Sequence, residues 1–132
     1  MSREQSNQSL KELMSLKGFE VKEKHCGRFY FRMHMTQSMY DTNIEALELG
    51  VRAYNSLKRA GLNTIGELAE TVSGGGDLKT IRNCGAKSVR EIMEHLFLFQ
   101  YNSMNAERRD AFLAETAELN MKRIAAGPAE TV

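Results

Sequence analysis

Tryptophan is absent from this 132-residue chain, proline occurs once and cysteine twice. One proline and an ordinary aromatic content exclude polyproline and collagen-like architectures. The two cysteines, Cys26 and Cys84, have no C-x-x-C spacing. That excludes a disulfide-built scaffold and a zinc ribbon, and the pair reads as free thiols in a reducing compartment. Charge of one sign is also missing: 18 Lys and Arg stand against 17 Asp and Glu. A globally basic coat for nucleic acid is excluded, so any such site has to be a local patch with modest, salt-sensitive affinity. No apolar run is long enough to cross a bilayer, and the start, Met1-Ser2-Arg3-Glu4-Gln5, lacks an apolar signal core. The chain reads as cytoplasmic, with no membrane partner.

Catalytic signatures are missing as well. There are no paired carboxylates, metal clusters or activated nucleophiles at working spacing, and Asp41, Asp77 and Asp110 read as caps or surface. His25 and His34 read as surface residues rather than ligands. Ser73-Gly74-Gly75-Gly76 is a loop, because no G-K-[ST] follows it to make a P-loop. No enzyme activity, cofactor or metal is expected.

What the sequence does contain is a series of helix starts. Ser9-x-x-Glu12 is a capping box before Leu10, Leu13 and Met14. From Phe19 to Met35 the period changes to two, with Phe29, Phe31, Met33 and Met35 alternating with Tyr30, Arg32 and His34 around a Cys26-Gly27 turn. That pattern predicts a β-hairpin, whose other face, with Lys22, Lys24, Arg32 and His34, is read as solvated. Gln37 to Asn43 reads as a linker. A helix is predicted from Ile44 to about Ala60, with Ile44, Leu47, Val51, Tyr54 and Leu57 as its apolar stripe. Another face carries Glu48, Arg52, Asn55 and Arg59. It is either a solvated face with a Glu48–Arg52 pair, or a surface from which Arg52 and Asn55 reach a groove.

Thr64-x-x-Glu67 opens a short helix, and Asp77 can cap a single turn, Leu78 to Ile81. The stretch Ile81 to Ile92 reads as a glycine turn at Gly85 running into a helix. Helix amides at such a start favour an anion, and Lys87 and Ser88 add a charge and a hydroxyl. The plainer reading is a corner that packs and binds nothing. A box at Ser88-x-x-Glu91 argues for a helix start near Ser88, with a start closer to Ala86, directly from the turn, as the alternative. Asn105 caps a last helix whose stripe, Leu113, Ala117, Met121 and Ile124, predicts packing on the hairpin or on a second copy.

The expected fold is mainly α. It is a compact domain of four to five helices with helix–hairpin–helix elements at 44–104, an N-terminal extension with a β-hairpin at 1–43, and a C-terminal helix and tail at 105–132.

Three stretches together have a recognisable outline: Leu47-Glu48-Leu49-Gly50-Val51-Arg52-Ala53-Tyr54-Asn55-Ser56-Leu57-Lys58, then Ile65-Gly66-Glu67-Leu68, then Leu78 through Ile92. The region resembles the C-terminal domain of the bacterial RNA polymerase alpha subunit. The resemblance implies binding to A·T-rich duplex DNA through the minor groove. It assigns Arg52, Asn55 and Lys58 on the first helix to that contact, with Asn83, Gly85, Lys87 and Ser88 at the hairpin and Glu91 in support. It assigns Glu48 to a protein contact with a sigma factor or RNA polymerase. The alternative is a module that keeps the protein contact and no longer binds DNA. Ala46 and Ala86 depart from the acidic residue and the lysine common in the family. No counterpart of the subunit's assembly part is seen, so a small stand-alone protein is expected, with a homodimer through the hairpin or the last helix as a further possibility.

Overall fold

The structure is a computed structural model that describes residues 9–18, 31–73 and 85–125. Six α-helices occur there: α1 (Leu10–Ser15), α2 (Gln37–Tyr40), α3 (Val51–Arg59), α4 (Ile65–Ser73), α5 (Ala86–Asn102) and α6 (Ala106–Ala125). A 3-10 turn spans Ile44–Leu47. The Gly74–Gly76 loop, the Asp77 cap, the single turn at Leu78, Asn83 and the tail after Ala125 lie outside the described residues.

Helix α5 organises the rest, packing against α1, α3, α6 and the 3-10 turn. Its N-terminal half presents Val89, Ile92, Met93 and Leu96 to a core completed by Ile44, Leu47, Ala53, Leu57, Ile65 and Leu68. Its C-terminal half turns Phe97 and Tyr101 to a second core with Leu10, Leu13, Met14, Phe112, Leu113 and Ala117. Leu96 and Phe97 are sequence neighbours in different cores, since consecutive helix residues point about 100° apart. Leu113 and Ala117 of the stripe on α6 are thus covered by the protein itself, through α1 and α5, while Met121 stays 42% exposed.

Several expectations are corrected. The helix predicted from Ile44 to Ala60 is broken. The 3-10 turn ends at Glu48, whose φ of 54° and ψ of 45° are left-handed, and α3 starts afresh after Gly50. The helical phase restarts there, so α3 buries Ala53, Ser56 and Leu57 and leaves Val51 78% exposed. Glu48 is off the helix, and the Glu48–Arg52 pair expected of a continuous helix is not made.

The predicted β-hairpin is not supported. Residues 19–30, which hold its turn and first strand, lie outside the described residues. No strand occurs among the described residues, where the one bridge pairs Asn43 with Thr64. The alternation is nonetheless correct over 31–35: Phe31, Met33 and Met35 are half-buried, Arg32 and His34 exposed. The Gln100 carboxamide takes the place of a partner strand. It accepts from the His34 N–H and donates to the Arg32 carbonyl at 3.3 Å. Glu115 of α6 pairs with Arg32 at 3.2 Å and with His34 at 3.0 Å. Gln100 is fully buried, so meeting both backbone groups also satisfies its own polar atoms. The linker read at Gln37–Asn43 contains α2, capped by Thr36, whose hydroxyl accepts from the Met39 N–H.

Three helix starts are as expected. Ser9 and Glu12 cap α1 reciprocally, and Asn105 accepts from the Arg108 N–H at α6. At α4 the Thr64 hydroxyl accepts from the Glu67 N–H, while the Glu67 carboxylate accepts from Asn63 and Thr64. Those backbone donors, Asn63 first, hold the Glu67 carboxyl below its ordinary pKa, with smaller help from Lys58. A lowered carboxyl stabilises the fold above the pKa it has when unfolded, and that stabilisation is lost as pH falls through the folded value. Glu67→Gln is therefore expected to lower the melting temperature at neutral pH but not near about pH 2. Thermal melts at both pH values check this, and an equal loss at both would remove the charge from the account.

Candidate nucleic-acid interface

Arg52 is the second residue of α3. It is exposed, and its side chain makes no ion pair among the described residues. The start of α3 has no side-chain cap, because the N-cap is Gly50. Its N–H instead donates to Glu91 Oε2 of α5 at 2.6 Å. A Cβ at Gly50 would stand 3.3 Å from that oxygen, so glycine lets the two elements approach closely. One turn further along α5, His95 Nδ1 lies 2.6 Å from the Leu47 carbonyl. A carbonyl only accepts, so the ring carries its proton on Nδ1.

The same helix begins with Gly85 as an extended N-cap, no side-chain cap, and no acidic residue in the first turn. The first amides of α5 are left without helical partners, at the positive end of a 17-residue helix. Lys87 is exposed beside them. Of the two helix starts the sequence offered, the one at Ala86 is found; the Ser88–Glu91 box is not made, and the Glu91 carboxylate is committed to Gly50. Ser88 is only 5% exposed, so what it offers an outside ligand is its backbone rather than its hydroxyl.

The Gly50–Glu91 hydrogen bond ties the backbone two residues before Arg52 to α5, at a point one turn after Lys87. Asn55 follows Arg52 by about a turn and is half-buried. Lys58 is set apart. It lies six residues on, about 9 Å along the axis, and donates to Asn63 Oδ1 at 2.6 Å. Its ammonium stands 6.0 Å from the Tyr54 ring centre, near the negative end of α3. Glu48 is exposed at the left-handed corner. Asn83 lies outside the described residues.

Charge bears on the site too. Residues 44–100 carry seven basic and seven acidic side chains. Three of the carboxylates accept from backbone amides of the protein itself: Glu91 from Gly50, Glu94 from Leu10, and Glu67 from Asn63 and Thr64. Arg52 and Lys87 are both exposed, and Lys87 lies in the first turn of α5, whose N-cap Gly85 supplies no side-chain cap. Among the described residues, no group of three His, Cys, Asp or Glu is placed to hold a metal, and no helix is long and apolar enough to cross a membrane.

Two contributors escaped the reading of the sequence. The glycine inside the periodic pattern, Gly50, was a signal for a helix break. His95 gave none, since its partner is 48 residues away.

Residues 33–97 match the family model for the C-terminal domain of the bacterial RNA polymerase alpha subunit. The DNA-directed RNA polymerase subunit alpha of Carboxydothermus hydrogenoformans is 41% identical over 73 residues, which are 55% of this protein and 21% of that one. The same subunit of Limosilactobacillus reuteri is 51% identical over 57 residues, 42% of this protein and 17% of the relative. That of Leuconostoc mesenteroides is 53% identical over 53 residues, 40% and 16% respectively. The matched region thus spans about a fifth of the length of these relatives. No solved structure gives a significant match. Over residues 33–97, just under half of its length, the protein is similar to the C-terminal domain of the bacterial RNA polymerase alpha subunit.

Proposed function

We propose that the domain is a non-enzymatic, transcription-associated module that binds A·T-rich duplex DNA through the minor groove. Arg52 enters the groove and Asn55 supports it. Lys87 and the amides of Gly85 and Ser88 take a phosphate, and the family resemblance assigns Asn83 to the same contact. Lys58, tied to Asn63, contributes charge at the far end of α3. The carrying observation is the 2.6 Å hydrogen bond from Gly50 to Glu91, which joins the start of the Arg52 helix to the helix with the open amides. The minor groove distinguishes A·T from G·C mainly by width and a few acceptors, and a narrow groove attracts arginine. A neutral domain with so small a patch should bind weakly and with marked salt dependence.

The test is fluorescence anisotropy of labelled A·T-rich and G·C-rich duplexes at two salt concentrations. The native protein is expected to prefer A·T and to weaken with salt. Arg52→Ala should cost roughly 5- to 150-fold in affinity while remaining folded, and Lys87→Ala should reduce the salt slope by about one. If neither duplex binds the folded protein at low salt, the DNA reading fails. The exposed acidic corner at Glu48 favours a second reading, a contact with RNA polymerase or a sigma factor, and attention would then move there.

A further inference from the structure

Glu91 and His95 are four residues apart on α5 and so share one face. Between them they hold the backbone on both sides of the break before α3: the Leu47 carbonyl ahead of it and the Gly50 N–H after it. Between those two contacts lies Glu48 in a left-handed conformation. A residue other than glycine adopts it only where its surroundings impose it. Helix α3 has no side-chain cap of its own to set its starting direction.

We infer that His95 is a positioning residue for Arg52, acting with Glu91 as a two-point clamp on the turn that launches α3. The inference rests on the DNA-binding reading above. Arg52 stands four residues beyond Glu48 on a helix of nine residues, so a rotation of the turn swings its guanidinium. Lys87 and the first amides of α5 sit on the helix that carries His95 and do not move with the turn. Loss of the His95 donor should therefore disturb the groove contact and spare the phosphate contact. A purely structural role would lower stability and weaken both contacts together.

Duplex binding by the full-length protein tests this, with thermal melts alongside. His95→Leu keeps an apolar body without a donor. His95→Asn places an amide nitrogen close to where Nδ1 stood. His95→Leu is expected to weaken binding to the A·T-rich duplex roughly tenfold. It should also reduce the preference over the G·C-rich duplex and leave the salt slope unchanged. His95→Asn is expected to recover most of the affinity and the preference. Should His95→Leu melt below the assay temperature, His95→Gln carries the comparison, because its amide lies one bond further out. Native-like binding by the donor-displaced variant overturns the inference, as does failure of Asn to improve on it, or equal loss on both duplexes. A native protein that binds no duplex at low salt would sink the DNA reading and this inference together. A native protein that binds, with an unaffected His95 variant, sinks the inference alone.

Discussion

Phe97→Ala should cost about 3–5 kcal/mol, the largest loss expected from any single truncation in this protein. Phe97 is fully buried, and its ring is the centre of the second core. It meets Phe31 edge-on at 5.4 Å between centroids, stacks on Phe112 at 4.8 Å and lies 6.3 Å from Tyr101. Through these three rings one side chain joins the extended stretch, α5 and α6. Truncation loses the transfer energy of the ring and leaves a cavity that three different elements must collapse around. For a domain of this size the melting temperature should fall on the order of 10–20 °C. Denaturant unfolding of the variant checks the free energy directly. A cost under about 1 kcal/mol, the range of volume-conserving swaps, would mean that α1, α6 and the end of α5 share no common core.

The second large effect is expected at Gly66, for the opposite reason. Gly66 is a buried residue in the first turn of α4. A Cβ there would lie 2.7 Å from Tyr40 Cδ1 and 2.8 Å from the Tyr40 carbonyl oxygen. The ring can swing aside but the carbonyl belongs to the backbone of α2, so α2 and α4 would have to separate. Helix propensity alone favours alanine over glycine by about 1 kcal/mol. The clash reverses the sign, and Gly66→Ala is expected to destabilise by about 1–3 kcal/mol. Gly61→Ala makes a useful contrast, since that position has open space but a φ of 83°. Stabilisation by Gly66→Ala in chemical denaturation would show that α2 does not press on α4.

Both effects depend on contacts between segments far apart in the sequence, and that boundary also separates what was readable from what was not. The capping boxes at Ser9 and Thr64 and the cap at Asn105 were legible, because a cap is made by residues three apart. The alternation over 31–35 was legible as an exposure pattern. Its partner was not, because a buried glutamine 66 residues away can satisfy an extended backbone as a neighbouring strand would. The apolar stripe from Ile44 was misread at Val51, which is exposed, while Tyr54 and Leu57 do pack on the core. Periodicity alone does not register a single left-handed residue, and Glu48 is not a type that advertises one.

At the candidate site, the amino-acid sequence by itself determined the residue types: the arginine and asparagine a turn apart, the glycine before a helix start, and the lysine after it. The similarity to the polymerase alpha subunit domain over 33–97 was legible there too, because it rests on local wording. Only the tertiary structure decided which of these groups stand together. It committed Glu91 to Gly50 and His95 to Leu47, buried Ser88, and moved Lys58 to the other end of α3 beside Asn63. The physical reason is range. Helix starts and exposure patterns are set by neighbours within a turn or two. The backbone of the turn before Arg52 is met instead by a carboxylate and an imidazole more than forty residues away.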